Sequence, residues 1–123
     1  MCPARLYIVD EHDSVRSALA DRLSRATGFT VLGHSGDANQ VLEDIQAQEP
    51  DVVLLEVKRS DGMGLEIMRQ ISELSDPPCL VVLTSYPTEW EEEAAIRAGA
   101  TSYLLKDLDT EELIRYISEL CSK

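Results

Sequence analysis

The run Val52-Val53-Leu54-Leu55 constrains this chain more than any other stretch. A short unbroken apolar run suits a strand buried on both faces, as in a parallel sheet. Pro50 blocks a helix from running into it, and the turn Asp61-Gly62-Met63-Gly64 follows it. Glu56 stands at its carboxyl end. Ligands of open α/β sheets bind at such ends. A carboxylate there must meet water, a cation or hydrogen-bond donors. Glu56 is therefore either the lip of a site or a solvated strand end.

The rest of the chain repeats a strand-then-helix pattern. Arg5-Leu6-Tyr7-Ile8-Val9 reads as a strand and runs into the acidic cluster Asp10-Glu11-His12-Asp13. Val15, Leu19 and Leu23 recur at helical spacing, with Asp13 or Ser14 as the cap and Gly28 as the stop. Residues 29–34 form a second strand. Ala38, Val41, Leu42 and Ile45 predict a helix capped by Asp37. Leu65, Met68, Ile71 and Leu74 mark a third helix, closed by Asp76-Pro77-Pro78. Cys79-Leu80-Val81-Val82-Leu83 predicts strand four, ending at Thr84-Ser85. Residues 87–98 predict a helix carrying Glu91-Glu92-Glu93, and Gly99 ends it. Residues 102–105 predict strand five, ending at Lys106. Leu113, Ile114, Ile117, Leu120 and Cys121 stripe the last helix.

Strict alternation of five strands with five helices implies a doubly wound parallel sheet with right-handed crossovers. The expected fold is flavodoxin-like, order 2-1-3-4-5, with its switch point between strands one and three. At 123 residues this is one domain, residues 1–123, with enough chain for a core. A net charge of −12 argues against a grip on nucleic acid or an anionic membrane. Cys2, Cys79 and Cys121 show no metal-ligand spacing, and their odd number fits a reducing, cytoplasmic setting. No apolar run approaches membrane length.

That topology gathers Asp10, Glu11 and Glu56 at one edge, with Thr84 and Lys106 on the same side. Clustered carboxylates repel and call for a cation. Hard oxygen donors suit magnesium. A lysine ammonium and a threonine hydroxyl can grip a phosphoryl oxygen. The constellation points to phosphoryl transfer by charge stabilisation and positioning. Each residue alone has a plain structural reading, as a solvated turn, a helix cap or a strand end. His12 and His34 are single and read as a helix-start and a strand-end residue. No glycine-rich loop follows strand one, which disfavours a dinucleotide enzyme. Tyr86 and Trp90 lack the hydroxyl-rich loops a flavin site needs. Trp90 with Glu91 to Glu93 reads as a solvated face or as part of a weakly packed, movable helix.

The chain resembles the receiver domain of bacterial two-component response regulators along its whole length. The matching pieces are Val9-Asp10-Glu11-His12, Pro50-Asp51-Val52-Val53-Leu54-Leu55, Asp61-Gly62-x-Gly64, Leu83-Thr84-Ser85 and Gly99-Ala100-x-x-Tyr103-Leu104-Leu105-Lys106-Asp107. The last two are most similar to receivers that precede a LuxR-type helix-turn-helix domain, the LuxR/NarL-type subfamily. The resemblance implies that Asp10, Glu11, Glu56 and the backbone carbonyl of Lys58 hold magnesium. It implies that Thr84 and Lys106 bind the phosphoryl group and that Tyr103 rotates inward on activation. It also implies a sensor histidine kinase or another signalling protein as partner. The last two helices and strand five are the family's usual output face.

Three residues depart from the family's pattern. Glu56 stands where the phosphoaccepting aspartate is usual. Ser60 replaces a usual proline, which is expected to loosen its loop. Asp107 replaces the proline after the lysine, so the Lys106–Asp107 bond is expected to be trans, a cis bond there costing about 3–4 kcal/mol. Glutamate is longer by one methylene, and near-attack geometry is intolerant of errors of about 1 Å. The expectation is an atypical, non-enzymatic receiver, independent of phosphorylation or phosphomimetic through Glu56, that acts by protein contact and binds magnesium weakly because Lys106 and Lys58 compete. The rival is an active receiver, phosphorylated by a histidine kinase and regulating transcription through an attached DNA-binding domain. A magnesium-dependent phosphatase-like enzyme is a weaker third reading, which so small and open a site does not support. The fold should be complete without a partner. A homodimer, if formed, should use helix one or the last two helices and strand five.

Overall fold

The computed structural model of the chain describes residues 4–121. Cys2 and the side chain of Cys121 lie outside the described residues. The elements alternate as β1 (Ala4–Val9), α1 (Asp13–Ser24), β2 (Phe29–Ser35), α2 (Ala38–Gln48), β3 (Val52–Leu55), α3 (Gly64–Ser72), β4 (Cys79–Thr84), α4 (Glu89–Arg97), β5 (Ser102–Leu105) and α5 (Thr110–Cys121). The five strands form one parallel sheet in the order β2-β1-β3-β4-β5, the flavodoxin-like arrangement expected.

All four residues of β3 are buried, because β1 and β4 pair with it on either side and helices cover both faces. Alternation along the strands divides the apolar residues between two cores. Leu6, Ile8, Val52, Leu54, Val81 and Leu83 pack on one face with Leu19 and Leu23 of α1 and Leu113 and Ile117 of α5. Tyr7, Val9, Val53, Leu55, Leu80 and Val82 pack on the other with Val41 and Ile45 of α2, Met68 and Ile71 of α3 and Ala95 of α4. Tyr7 is fully buried and its hydroxyl donates to Asp44 Oδ2 at 2.5 Å, so the core keeps its phenol partnered.

Several boundaries differ from the sequence reading. Asp37 caps α2, accepting from the Asn39 amide at 2.8 Å, as expected. For α1 the cap position is His12, not Asp13 or Ser14, and no side chain caps it. Asp13 instead lies in the first turn and pairs with Arg16 at 2.8 Å. Val15 was expected on the buried stripe but is 41% exposed; the buried face begins a turn later, at Leu19, Ala20 and Leu23. Leu74 falls outside α3, although it still packs against the core. Helix α4 begins at Glu89 rather than at residue 87, because the extended Thr88 caps it by accepting from the Glu91 amide at 3.1 Å.

Two glycines are required by geometry. A Cβ on Gly64 would lie 1.9 Å from the Val57 carbonyl oxygen, so only glycine lets α3 start against the end of β3. Gly99 has φ 117° and turns the chain out of α4. Helix α4 is the sparsest in apolar anchors. Its buried residues are Glu91, Ala94 and Ala95, and Trp90, the only tryptophan in the chain, is 69% exposed upon it.

Candidate functional site at the carboxyl edge of the sheet

Strand register sets the site. Val9 pairs with Leu55, so the next residues, Asp10 and Glu56, emerge side by side, and the Glu56 amide donates to the Val9 carbonyl at 3.0 Å. Thr84 pairs with Leu105, and the Lys106 amide donates to the Thr84 carbonyl at 2.8 Å. Asp10, Glu56 and Thr84 are buried, and Lys106 is nearly so.

Lys106 joins the two carboxylates. Its Nζ lies 2.6 Å from Asp10 Oδ2 and 3.1 Å from Glu56 Oε1. The other oxygens are also partnered. Asp10 Oδ1 accepts from the His12 amide at 3.0 Å and lies 3.1 Å from His12 Nδ1, and Glu56 Oε2 accepts from the Lys58 amide at 2.9 Å. Thus each of the four buried carboxylate oxygens faces a donor. Burial opposes the charge of Asp10, but the bonds from Lys106 and His12 outweigh it and hold its carboxyl below the usual range. Burial likewise opposes the charge of Lys106, yet Asp10 and Glu56 together raise its ammonium above the ordinary lysine value.

Glu11 does not join this group. Its Oε1 accepts from the Ser60 amide at 2.6 Å and its Oε2 from the Ser60 hydroxyl at 2.7 Å. Those bonds hold the Glu11 carboxyl below its ordinary value. Proline at position 60 would have neither donor. The loop after β3 is therefore tied to the loop after β1 through Ser60, a correction to the expectation that Ser60 loosens it. Arg59 braces the same loop, donating to the Gly36 carbonyl at 2.7 Å and pairing with Asp61 at 3.0 Å.

Lys58 also departs from expectation. Its side chain crosses to α4 rather than competing for the sheet-edge carboxylates. Nζ lies 2.8 Å from both Glu91 oxygens, 2.6 Å from the Tyr86 carbonyl and 3.2 Å from Thr84 Oγ1. Glu91 also accepts from the Tyr103 hydroxyl at 2.6 Å. Tyr103 is half-buried against the core, and burial with the Glu91 carboxylate pushes its phenol up to about 12. Thr84 Oγ1 accepts from Lys58 and from the Tyr86 amide at 3.3 Å, and it makes no hydrogen bond to Glu56. Lys106–Asp107 is trans, since there are no cis peptide bonds among the described residues.

A hard cation requires free oxygens from several groups at once. Among the described residues no set of three or more His, Cys, Asp and Glu side chains is grouped to hold a metal ion. Asp10 and Glu56 face Lys106, and Glu11 faces Ser60. As arranged, the residues do not fit magnesium, and the lysine ammonium serves as the cation. That corrects the expectation that Asp10, Glu11 and Glu56 meet in one cluster. A separate open cleft, lined by Arg5, Ile45, Asp51, Leu74, Pro77 and Pro78, lies at the amino ends of the strands, away from this chemistry.

The family model of the response regulator receiver domain matches residues 6–118. The chain belongs to this family. The receiver is 35% identical over 117 residues, 94% of its own chain, to the DNA-binding transcriptional activator DevR/DosR of Mycobacterium tuberculosis. It is 29% identical over 117 residues, 95% of its chain, to the nitrate/nitrite response regulator protein NarL of Escherichia coli. It covers 54% of each, so the chain spans about half the length of these relatives. A crystal structure of a two-component response regulator of the LuxR family, from Aurantimonas sp. SI85-9A1, superposes with a TM-score of 0.88 at 25% identity, over 98% of this chain and 86% of that one. Receiver domains are signalling modules with a phosphotransfer role rather than enzymes, and they generally bind magnesium at the phosphorylation site.

Sequence reasoning found the sheet-edge residues of this receiver and missed Glu91. The signal was present, since Glu91 lies three and four residues before Ala94 and Ala95, on the inward face of α4. No helix among the described residues is long and apolar enough to cross a membrane.

Proposed function

We propose that this receiver signals without phosphorylation of residue 56 and delivers its output as a contact with another protein. The observation that carries this reading is the placement of the Lys106 ammonium, shared between Asp10 and Glu56. A phosphoryl group needs that ammonium for its own equatorial oxygens. Glutamate reaches it directly, and the charge-assisted contact keeps it. The extra methylene both displaces the attacking oxygen and adds a rotatable bond.

Similarity to DevR/DosR and NarL supports a place in a two-component pathway that regulates transcription, in the cytoplasm, with a sensor histidine kinase or another signalling protein upstream. Thr84 and Lys106 are the phosphoryl-pocket equivalents and Glu56 the phosphoacceptor equivalent in this reading. Tyr103 is the switch. Its half-buried side chain fits a phosphomimetic state, whereas Thr84, held by Lys58, gives no sign of recruitment by Glu56. Because the residues as arranged do not fit magnesium, Asp10, Glu11, Glu56 and the Lys58 carbonyl would hold it only weakly, after Lys106 and Ser60 had been displaced. Nucleic acid is not bound by this domain directly, and a homodimer forms, if at all, through the α4, β5 and α5 face or α1.

The alternative, an active receiver, draws on the retention of Asp10, Thr84 and Lys106 at the strand ends, since acyl-phosphate chemistry is open to glutamate. Intact-protein mass spectrometry with acetyl phosphate and magnesium separates the two. The expected result is no added phosphate on the natural chain and one on a Glu56→Asp variant. A phosphate mapped to Glu56 would restore the active receiver. No phosphate on either protein would place a second obstacle at Ser60 and its clasp on Glu11.

A further inference from the structure

We propose that Lys58 and Glu91 form a latch that holds α4 on the sheet and fixes Tyr103, making the position of this helix conditional on one lysine from the loop after β3. Three observations converge. First, α4 has little else to hold it, because its buried apolar residues are only Ala94 and Ala95. Burial stabilises in proportion to apolar area, and alanine offers the least of any apolar side chain. Second, Glu91 is buried, 7% exposed, on that same inward face. A buried carboxylate is costly unless it is paired, so α4 can occupy this place only while a cation meets it. Third, the cation comes from far away in the chain. Lys58 Nζ contacts the Thr84 hydroxyl at the end of β4, the Tyr86 carbonyl in the loop beyond it and both oxygens of Glu91. One ammonium thus fastens three consecutive pieces of structure to the loop that carries Glu56.

Tyr103 completes the device. Its hydroxyl donates to Glu91 Oε1 at 2.6 Å and accepts from the Thr88 amide at 3.3 Å. The ring of β5 is held by the same carboxylate that Lys58 holds. When Lys58 leaves, Glu91 has only the phenol as donor, and both α4 and the Tyr103 ring lose their anchor. Lys58 also touches the sheet-edge site through its backbone, since its amide donates to Glu56 Oε2. The latch stands whether or not Glu56 accepts a phosphoryl group.

Native-state amide exchange of the full chain, read by NMR, tests this. Lys58→Met keeps the apolar stem and removes the charge. Glu91→Gln keeps the shape and the capacity to bond Tyr103. Each is expected to speed exchange of the α4 amides at least tenfold relative to those of α2 and α3, and to change the Tyr103 ring signals. The double variant should be no worse than the poorer single, as required when both act through one bond. Exchange of α4 within twofold of the natural chain in both single variants would overturn the latch. So would an increase shared equally by α2 and α3, which would mean general destabilisation, or fully additive effects in the double variant.

Discussion

Lys106 is the residue on which the sheet-edge site depends. Two buried carboxylates share it, so Lys106→Met should cost about 3–5 kcal/mol in urea denaturation at neutral pH, the usual penalty for leaving a buried charge unpaired. The same variant should gain more thermal stability from magnesium than the natural chain does, because Asp10 and Glu56 are then free to hold it. The pH dependence follows from the same pair. Asp10 holds its proton less readily folded than unfolded, so the unfolded chain binds more protons in the acid window and stability rises with pH there. That contribution is complete above the ordinary carboxylate value and is lost as pH falls through the depressed value of Asp10. Lys106 works in the opposite sense. Its share is complete below the ordinary lysine value and is lost as pH rises through the raised one. Urea midpoints from about pH 2 to 6 and from about pH 9 to 12 should show both losses, and Lys106→Met should shrink the alkaline one to the share that the raised phenols of Tyr7 and Tyr103 hold there. Positions such as Asp10, Glu56 and Lys106 were legible in the sequence because strand ends announce themselves by the stop of an apolar run. The partners of Lys58 and Glu11 were not, because they depend on which side chain wins a cation or a donor brought from another loop.

The loop after β3 is built from two linked choices. Gly64 lets α3 begin against Val57, so Gly64→Ala must push backbone apart. A loss of roughly 3 kcal/mol or more is expected, typical of strong overpacking, measured by urea denaturation. Ser60 ties the loop to Glu11, and its two donors can be removed in steps. Ser60→Ala removes the hydroxyl, and Ser60→Pro removes the amide as well. Calorimetric titration with magnesium should rank affinity as proline above alanine above the natural serine, since each step returns an oxygen to Glu11. Equal affinity in all three would mean that Glu11 is not a ligand. At this scale the bound given for α2, its Asp37 cap, was read correctly from the sequence. Helix α1, whose cap position His12 contributes no side-chain bond, and α3, whose stripe continues to Leu74 beyond its last turn, were not.

Across the whole molecule the net charge of −12 sets a background of self-repulsion. Thermal midpoints should rise by a few degrees as sodium chloride goes from about 10 to 150 mM, the range in which screening grows strongest over protein-sized distances. Magnesium chloride at matched ionic strength should add little to that rise in the natural chain. The parallel sheet and its two cores followed from alternation alone, because a strand buried on both faces leaves a continuous apolar signature.

Trp90 gives the molecule an unusual optical property. The one indole stands in water on α4, outside both cores. Its emission is governed by solvent and by α4, and the packing of the sheet contributes little to it. Near 295 nm excitation would therefore follow a single helix while far-ultraviolet dichroism follows the rest of the fold. Where those two signals part company during denaturation, the separation measures how independently α4 comes free.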